Sequence, residues 1–425
     1  MKRKLAIVDQ AFNWPPKGGS SVDTKEIAER LTRHGMDVRV FTPEIMRKGK
    51  ARTYWSSRLH QLNQEELNFQ VEKIRIPLVK YQPGYYSALL KERIESFNPD
   101  DLIIGDSYFM KPHLVEALRN YEPILRFYTY EILCFNYNQG LPRRDVPQRC
   151  DTYSLDNWRG CHLCFWRDLK WHDRDLFRLE YLTSGAWKPG YRKRFTDALG
   201  AAKTIIVNNQ LTRQMMAPYA RDIRLIPHGV DTSFFVPVSA SVTGSSNTVT
   251  VSESNSGPTV LIMTGRVNDP AKGGSILIDA CRKLHDNDEK IKLLLTGDQC
   301  LDDSFIEWVG WLSHDRIPGL LNRADIAVAP AVWQESLGIA VLEAMACELP
   351  VVVSDVAGHR VTVRANETGL FFKAGDSSDL AGKLKQLIDS EDRRKRLGTA
   401  GRLRAEEYFD WDRIIEKHYL GELFQ

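Results

Sequence analysis

No apolar run in the 425-residue sequence approaches the roughly 20 residues needed to cross a bilayer. The sequence also lacks an excess of one charge, since 58 Lys and Arg stand against 55 Asp and Glu, a formal net charge of +3. So small an excess gives no indication of nucleic-acid binding. With 43% hydrophobic and 27% charged residues, the composition is that of a globular protein. Its length exceeds one ordinary core and predicts two domains.

The sequence begins MKRKLAIVDQAFN, with basic residues before an apolar patch that is far too short for a signal peptide. We interpret the patch as a first buried strand and expect a cytoplasmic protein.

Short β-branched runs alternate with helical patterns along the chain. KLAIVD and DVRVFTP are strand-like, and the helical pattern between them stops at Gly35. A second such series begins with VLIMTG, after a Ser- and Thr-rich loop over residues 238–258. We predict an N-terminal domain over 1–222, a C-terminal domain over 223–405 and a helix over 406–425 that returns to the first domain. Both domains are expected to be α/β, doubly wound, parallel-sheet (Rossmann-like) folds, facing each other across a ligand cleft.

The stretch QESLGIAVLE places Glu335 in a predicted loop and Glu343 about two turns into a predicted helix that starts near Ser336 or Leu337. Free N–H groups at such a helix start attract phosphates or sugar hydroxyls. These groups belong to Leu337, Gly338 and Ile339. The alternative is that Glu335 and Ser336 only cap the helix and that Glu343 is a solvated acid.

Two further loops carry residues suited to a diphosphate. In TGRVNDPAKGG, Arg266 follows a strand and Lys272 precedes a predicted helix, so two cations lie beside a strand end. In NWPPKGGSS, Gly18 and Gly19 would bring the backbone close to a ligand. Taken singly, each cation could be an ordinary surface residue and the glycines could serve any tight turn.

Five segments in this order resemble the retaining GT-B glycosyltransferases of family 4, the glycosyl transferases group 1. IPHGVDTSFFVP resembles the hinge of that family, GR…KG its pyrophosphate site, and VGWLSHDRIPGLLNRADIAVAP, with Trp311 and Leu312, the stretch that lines the nucleotide-base pocket. PAVWQESLGIAVLEAMACELPVV resembles its E-x7-E signature, and YFDWDRIIEKHY the C-terminal helix.

The resemblance implies a UDP-, GDP- or ADP-sugar donor in the C-terminal domain and a carbohydrate or lipid-linked acceptor in the N-terminal domain. Glu335 would contact hydroxyls of the donor sugar and Glu343 the ribose. Arg266 and Lys272 would neutralise the leaving diphosphate, aided by the N–H groups after Glu335 and by the Gly18–Gly19 loop.

The chemistry of such a transfer follows from charge separation. Negative charge develops on the diphosphate while positive charge develops on the sugar ring, so fixed cations and N–H donors at the leaving group favour the reaction. We therefore expect no cofactor and no Mg²⁺ requirement. A donor phosphate oxygen can take the proton of the acceptor on the face from which the leaving group departs, which retains configuration without a protein base.

Two positions depart from the family pattern. A His that often contacts the donor sugar is replaced, in LRFYTYEILC, by Tyr128. Tyr128, Tyr130 or Glu131 could substitute for it, or all three could be core and turn residues. Glu348 stands where a small Gly-type residue is usual.

Four of the seven cysteines fall within one stretch, over about 134–171. They are Cys134, Cys150, Cys161 and Cys164. A structural Zn²⁺ site is one interpretation, an iron–sulfur cluster a second, and unligated thiols a third. The surrounding Arg, Lys, Trp and Tyr residues could meet an anionic acceptor or a membrane surface at its inner face, or form a solvated basic face.

Two other functions share a two-domain sugar-nucleotide cleft. A nucleotide-sugar 2-epimerase needs acid–base groups for elimination and re-addition, and the sequence shows no clear set of them. A non-catalytic sugar-nucleotide binder is the other alternative. The sequence favours a retaining glycosyltransferase of polysaccharide or glycoconjugate biosynthesis.

Overall fold

The structure, a computed structural model, describes most of the chain in eight segments. These are residues 2–16, 18–47, 50–52, 64–135, 153–168, 175–238, 257–299 and 301–425. The predicted loop over 238–258 lies almost wholly outside them. The described residues form two compact units, one comprising the chain up to Pro227 with Ile415–Gln425, the other His228–Ile414.

The first unit is built on a largely parallel sheet with helices between its strands. Its strands are β1 (Lys4–Val8), β2 (Asp37–Arg47), β3 (Lys50–Arg52), β4 (Gln70–Pro77), β5 (Asp101–Ile104), β6 (Ile124–Arg126), β7 (Thr204–Val207) and β8 (Ile223–Leu225). Its helices are α1 (Gly19–Arg33), α2 (Pro83–Phe97), α3 (Lys111–Ala117), α4 (Trp158–Asp168), α5 (Asp175–Thr183), α6 (Gly190–Ala201) and α7 (Gln210–Met216). The strand order is β3-β2-β1-β5-β6-β7-β8, with β4 paired to β2, and among the described pairs only β2–β3 is antiparallel.

The predicted first strand–helix–strand unit is present as β1, α1 and β2. The helix ends because Gly35 adopts a φ of +89°, and its N–H donates to the carbonyl of Thr32 at 2.9 Å. Met36 then donates to Leu31 at 3.1 Å, which turns the chain into β2. In contrast, the predicted strand PILRFYTYE is short, since β6 ends at Arg126 and a 3₁₀ turn follows at Glu131–Leu133.

The second unit contains a parallel sheet with the order β11-β10-β9-β12-β13-β14. Its strands are β9 (Thr259–Met263), β10 (Ile291–Thr296), β11 (Ile306–Gly310), β12 (Ile326–Ala329), β13 (Val351–Ser354) and β14 (Gly369–Phe372). Its helices are α8 (Gly274–Asp286), α9 (Ile317–Leu321), α10 (Ile339–Ala346), α11 (His359–Thr362), α12 (Ser377–Ile388), α13 (Glu391–Arg404) and α14 (Trp411–Ile414).

Helices cover both faces of the second sheet. Leu261 of β9 packs with Leu277 of α8 and Leu384 of α12, whereas its neighbour Ile262 packs on the opposite face with Leu342 of α10. Successive strand residues are therefore buried on opposite faces, as in a doubly wound parallel sheet. The predicted α/β class and the doubly wound architecture of both domains are confirmed.

The two units divide at Pro227 and His228, whereas the sequence analysis placed this boundary at 222 and 223. The difference arises because β8 pairs in parallel with β7 and so belongs to the first sheet. At the C-terminus, Ile415–Leu423 is a π-helical segment of the first unit. Arg224 holds it there by donating to the carbonyl of Glu422 at 3.2 Å.

Candidate active site

The candidate site lies in the second unit, at the carboxyl ends of β9 and β12. These strands are neighbours in the sheet, but the chain leaves β9 towards β10 on one side and β12 towards β13 on the other. The two loops therefore diverge and leave a crevice, the position where doubly wound sheets bind ligands. The loop after β9 carries Lys272, and the loop after β12 carries Glu335.

Glu335 and Lys272, 63 residues apart in sequence, form an ion pair in this crevice. The Lys272 Nζ donates to Glu335 Oε2 at 2.5 Å, and the indole Nε1 of Trp333 donates to the same oxygen at 3.1 Å. The backbone N–H of Ser336 donates to Oε1 at 3.3 Å. Only 11% of the Glu335 side chain is exposed, so the carboxylate is fixed in position by three donors.

The charge state of Glu335 follows from these contacts. Burial by itself raises the pKa of a carboxyl group, but the Lys272 ammonium and its hydrogen bond outweigh burial and leave the pKa of Glu335 below its usual range. Glu335 is therefore a carboxylate at neutral pH. A buried carboxylate beside an ammonium can accept hydrogen bonds from sugar hydroxyls while the ammonium meets an anion.

The helix after this loop starts later than predicted. α10 begins at Ile339 rather than at Ser336 or Leu337, because Gly338 adopts a φ of +92° and turns the chain. Glu343 consequently lies little more than one turn into α10 instead of about two. Ser336 and Leu337 remain in the loop, with both side chains buried.

Glu343 has a partner that sequence reasoning did not identify. The Nε2 of His314 lies 3.1 Å from Glu343 Oε1, and 11% of the Glu343 side chain is exposed. The His314 ring stacks on Phe234 with a centroid distance of 5.9 Å and meets Phe235 edge-on at 5.3 Å. Glu343 is thus oriented by the segment that resembles the nucleotide-base pocket.

The other predicted donor residues of this unit differ in exposure. Trp311 is 62% exposed, whereas Leu312 is half-buried against the core that contains α10. Arg266 is 61% exposed in its side chain and pairs with Asp269 at 3.5 Å. Both cations are therefore paired, but Arg266 is mostly exposed whereas Lys272 is held against a buried carboxylate.

Gly18 and Gly19 belong to the first unit, at the start of α1. Gly18 is in extended backbone, and a Cβ built on it would meet no described atom within 4 Å. Packing within the described residues therefore does not require a glycine at this position. Close approach of a ligand remains the prediction for it.

The three residues predicted as sugar or acceptor contacts lie in the interior of the first unit. Tyr130 is fully buried, and Glu131 forms a buried ion pair with Lys111 at 2.8 Å. The Tyr128 hydroxyl lies 3.0 Å from Thr24 Oγ1. For Tyr130 and Glu131 these positions favour the alternative of core and turn residues, because the interior of the unit encloses both side chains. Contact with a sugar or acceptor stays a prediction.

The cysteine stretch is only partly described. Cys134 follows a 3₁₀ turn, Cys161 and Cys164 lie one turn apart on α4, and Cys150 lies outside the described residues. Within the described part of the chain, no three His, Cys, Asp or Glu side chains are grouped so as to hold a metal ion. The Zn²⁺ site stays a prediction. Cys281 and Cys347 are buried thiols.

Sequence reasoning missed three residues around Glu335 and Glu343. They are His314, Trp333 and His359. The local signals are that Trp333 is an aromatic residue two positions before Glu335, and that His314 and His359 each lie in a segment that follows a strand.

No helix in the described residues is both long and apolar enough to span a bilayer.

Two solved structures are similar to this chain over its whole length. Sucrose-phosphate synthase from Thermosynechococcus elongatus aligns with a TM-score of 0.66 at 18% identity, covering 100% of this chain and 98% of that one. Anabaena HepE in complex with UDP aligns with a TM-score of 0.65 at 15% identity, covering 100% of both chains. These likenesses define the fold as GT-B.

The family match concerns the second unit. Residues 246–404 match the family model described as glycosyl transferases group 1. The phosphatidyl-myo-inositol mannosyltransferase of Mycobacterium leprae is 33% identical over 170 residues, covering 38% of this chain and 45% of that protein. Glycogen synthase of Mycobacterium tuberculosis is 27% identical over 220 residues, covering 49% and 50%. The chain spans about half the length of the curated relatives it matches or less.

Proposed function

We propose that the protein is a retaining glycosyltransferase that moves a sugar from a nucleoside-diphosphate sugar to an acceptor hydroxyl. The observation that carries the proposal is the Lys272–Glu335 ion pair, at 2.5 Å, in the crevice between the loops after β9 and β12. The family match of residues 246–404 supports this reaction class. Structures of Anabaena HepE contain UDP and UDP-glucose, so UDP-sugars are the first donors to test.

In this reaction Glu335 accepts hydrogen bonds from donor-sugar hydroxyls and thereby fixes the orientation of the ring. Lys272, with Arg266, stabilises the negative charge that develops on the diphosphate as the glycosidic bond breaks. Glu343, held by His314, accepts from the ribose hydroxyls. A donor phosphate oxygen takes the proton of the acceptor, so the reaction uses no protein base and no metal ion.

The acceptor we propose is a carbohydrate or a lipid-linked carbohydrate, reached at the inner face of a membrane. Supporting this, four large apolar side chains are exposed on α4, α5 and the turn after α5. They are Leu163 at 74%, Trp166 at 48%, Leu182 at 48% and Trp187 at 50% exposure. Lys188 and Arg192 are exposed beside them, and such a mixture suits anionic headgroups.

The test of the reaction is release of nucleoside diphosphate from UDP-, GDP- and ADP-sugars in EDTA, with and without carbohydrate acceptors. We expect acceptor-dependent release with retained configuration, lost at least 100-fold in Glu335→Gln and Lys272→Met. Glu307→Gln and Lys292→Met are matched controls, because this pair, at 2.6 Å, joins the edge strand β11 to its neighbour β10 in the same sheet.

Three outcomes would contradict the proposal. Alteration of the donor sugar without an acceptor would indicate an epimerase. A donor-induced rise in Tm without any chemistry would indicate a binding protein. Equal activity in Glu335→Gln and Glu307→Gln would overturn the assignment of the site.

Sedimentation with anionic vesicles, compared between the wild type and Leu163→Ser/Trp166→Ser, tests the membrane contact separately.

A further inference from the structure

His359 is a buried residue at the start of α11, immediately below the loop that carries Glu335. Its side chain is 1% exposed, and Nδ1 lies 2.9 Å from the carbonyl oxygen of Ser354. A carbonyl oxygen can only accept, so Nδ1 carries the proton and donates it. In the neutral ring Nε2 then carries the lone pair, and the tautomer is fixed by this contact.

The opposite edge of the ring packs against the donor loop. A Cβ built on Gly338 would lie 2.9 Å from His359 Cδ2 and 3.1 Å from Nε2, so the ring occupies the space beside the glycine. The preceding residue, Gly358, donates its N–H to the carbonyl of Glu335 at 2.8 Å. A Cβ on Gly358 would lie 2.5 Å from the N atom of Leu337. Gly358 and His359 together form the floor under residues 335–338.

Three charged groups act on the His359 ring. They are Glu335 and Lys272 of the ion pair, and Asp355 of the loop after β13. Burial lowers the pKa of His359 below its usual value of 6.5, with Glu335 opposing this effect and Lys272 reinforcing it. The ring is therefore neutral at pH 7, and Lys272 is the cation that contacts Glu335.

We propose that His359 is a positioning residue of the donor site, whose neutral ring holds the Glu335–Gly338 loop in place and whose protonation disables it. Protonation adds a second positive charge beside Lys272 and converts Nε2 into a donor. This donor competes for the Glu335 carboxylate and draws it away from the donor sugar. The inference rests on the proposed function, because it assigns to Glu335 the role of holding that sugar.

The first test is the pH dependence of kcat/KM for the donor in three proteins, each profile normalised to its value at pH 8. In the wild type we expect kcat/KM to fall about tenfold per pH unit below the pKa of His359. The fall should come from a rise in KM for the donor. His359→Asn keeps an N–H donor near the position of Nδ1 but does not titrate. The decrease of kcat/KM at acid pH, the acid fall, should therefore move to lower pH in this variant. His359→Gln, which places its amide near Nε2, should not titrate either.

A merely structural role for His359 would lower stability without moving the profile. An unchanged acid fall in both variants would therefore overturn the proposal.

The second test needs no variant activity. NMR spectra of the protein labelled at its ten histidines, compared with those of His359→Gln to assign the His359 signal, should show the His359 ring in the Nδ1–H form with a pKa below 6.5. Addition of UDP should raise the pKa of His359, because a diphosphate beside Lys272 adds negative charge. A His359 ring in the Nε2–H form, or a His359 pKa that is unchanged with UDP bound, would contradict the proposal. If no donor is turned over, the proposed function fails while the tautomer still decides whether His359 is held as described.

Discussion

The carbonyl of Pro330 occupies the space that a Cβ on Gly273 would need. Gly273 has a φ of +74° and lies between the 3₁₀ turn Pro270–Lys272 and α8, so both the backbone conformation and the close contact require glycine. This contact packs the Lys272 loop onto the end of β12, from which the Glu335 loop departs. The ion pair of the candidate site thus depends on Gly273, which has no side chain that could take part in the reaction.

We expect Gly273→Ala to destabilise the second unit by more than about 2 kcal/mol and to abolish donor binding, because the new methyl group overlaps backbone. Gly382→Ala is the control, since Gly382 lies within α12 and a Cβ there meets nothing within 4 Å. It should gain about 0.5–1 kcal/mol from the lower entropy of the unfolded chain. Calorimetry of both variants checks this, and equal Tm values would contradict it.

Glu348, which departs from the family pattern, adopts a φ of +62° after α10. Its carboxylate accepts a hydrogen bond from Thr399 Oγ1 at 2.5 Å. Glu348→Gly should relieve left-handed strain and be about 1 kcal/mol more stable than Glu348→Ala. The Ala variant is the control because it loses the same hydrogen bond and keeps the strain. Chemical denaturation measures the difference, and a more stable Ala variant would refute the explanation.

Asp9 follows β1 and is fully buried, accepting from Thr24 Oγ1 at 2.6 Å and from the N–H of Ala11 at 2.9 Å. Burial, followed by the charge of Asp106, raises the pKa of Asp9 from 3.8 to about 8. The folded state therefore holds this proton more tightly than the unfolded state. Its contribution to stability is complete below pH 3.8 and is lost as the pH rises towards about 8.

Asp9→Asn cannot lose this contribution. Its Tm relative to the wild type should rise between pH 5 and pH 8 and then level off. Asp197→Asn, at a side chain that is 61% exposed, should show no such trend. Parallel Tm curves for Asp9→Asn and the wild type would show that Asp9 does not titrate in this range.

The buried pair Arg126–Asp23 and the exposed pair Lys193–Asp197 allow a comparison within the first unit. Arg126 donates to Asp23 at 2.9 and 3.3 Å, with side chains 1% and 0% exposed. Arg126→Met should cost about 3–5 kcal/mol, because it leaves a buried carboxylate without its cation. Lys193→Met, in a pair of 2.7 Å with 79% and 61% exposure, should change stability by less than about 0.5 kcal/mol. Urea denaturation checks both, and similar losses would contradict the argument.

Local sequence predicted the fold well, because each element carries its own signal. The run KLAIVD, the helix stop at Gly35 and the strand ADIAVAP all lie where β1, the end of α1 and β12 are found. Alternation of such elements leads to parallel sheets covered on both faces. Lys272 and Glu335 each follow a predicted strand, β9 and β12, and the carboxyl ends of parallel strands lie at the same edge of the sheet. The sequence therefore placed both residues at that edge. The roles assigned to them remain predictions.

Tertiary structure decided the details that depend on distant contacts. α10 starts at Ile339 because Gly338 turns over the ring of His359, which arrives from the loop after β13. Glu131 turned inwards because Lys111 supplies a buried ammonium at 2.8 Å. Sequence patterns record which face of an element is apolar, whereas the partner of a single charged or polar group is set by which loops the folded sheet brings together. The elements of this protein were therefore determined locally, and the surroundings of Glu335 only by the complete fold.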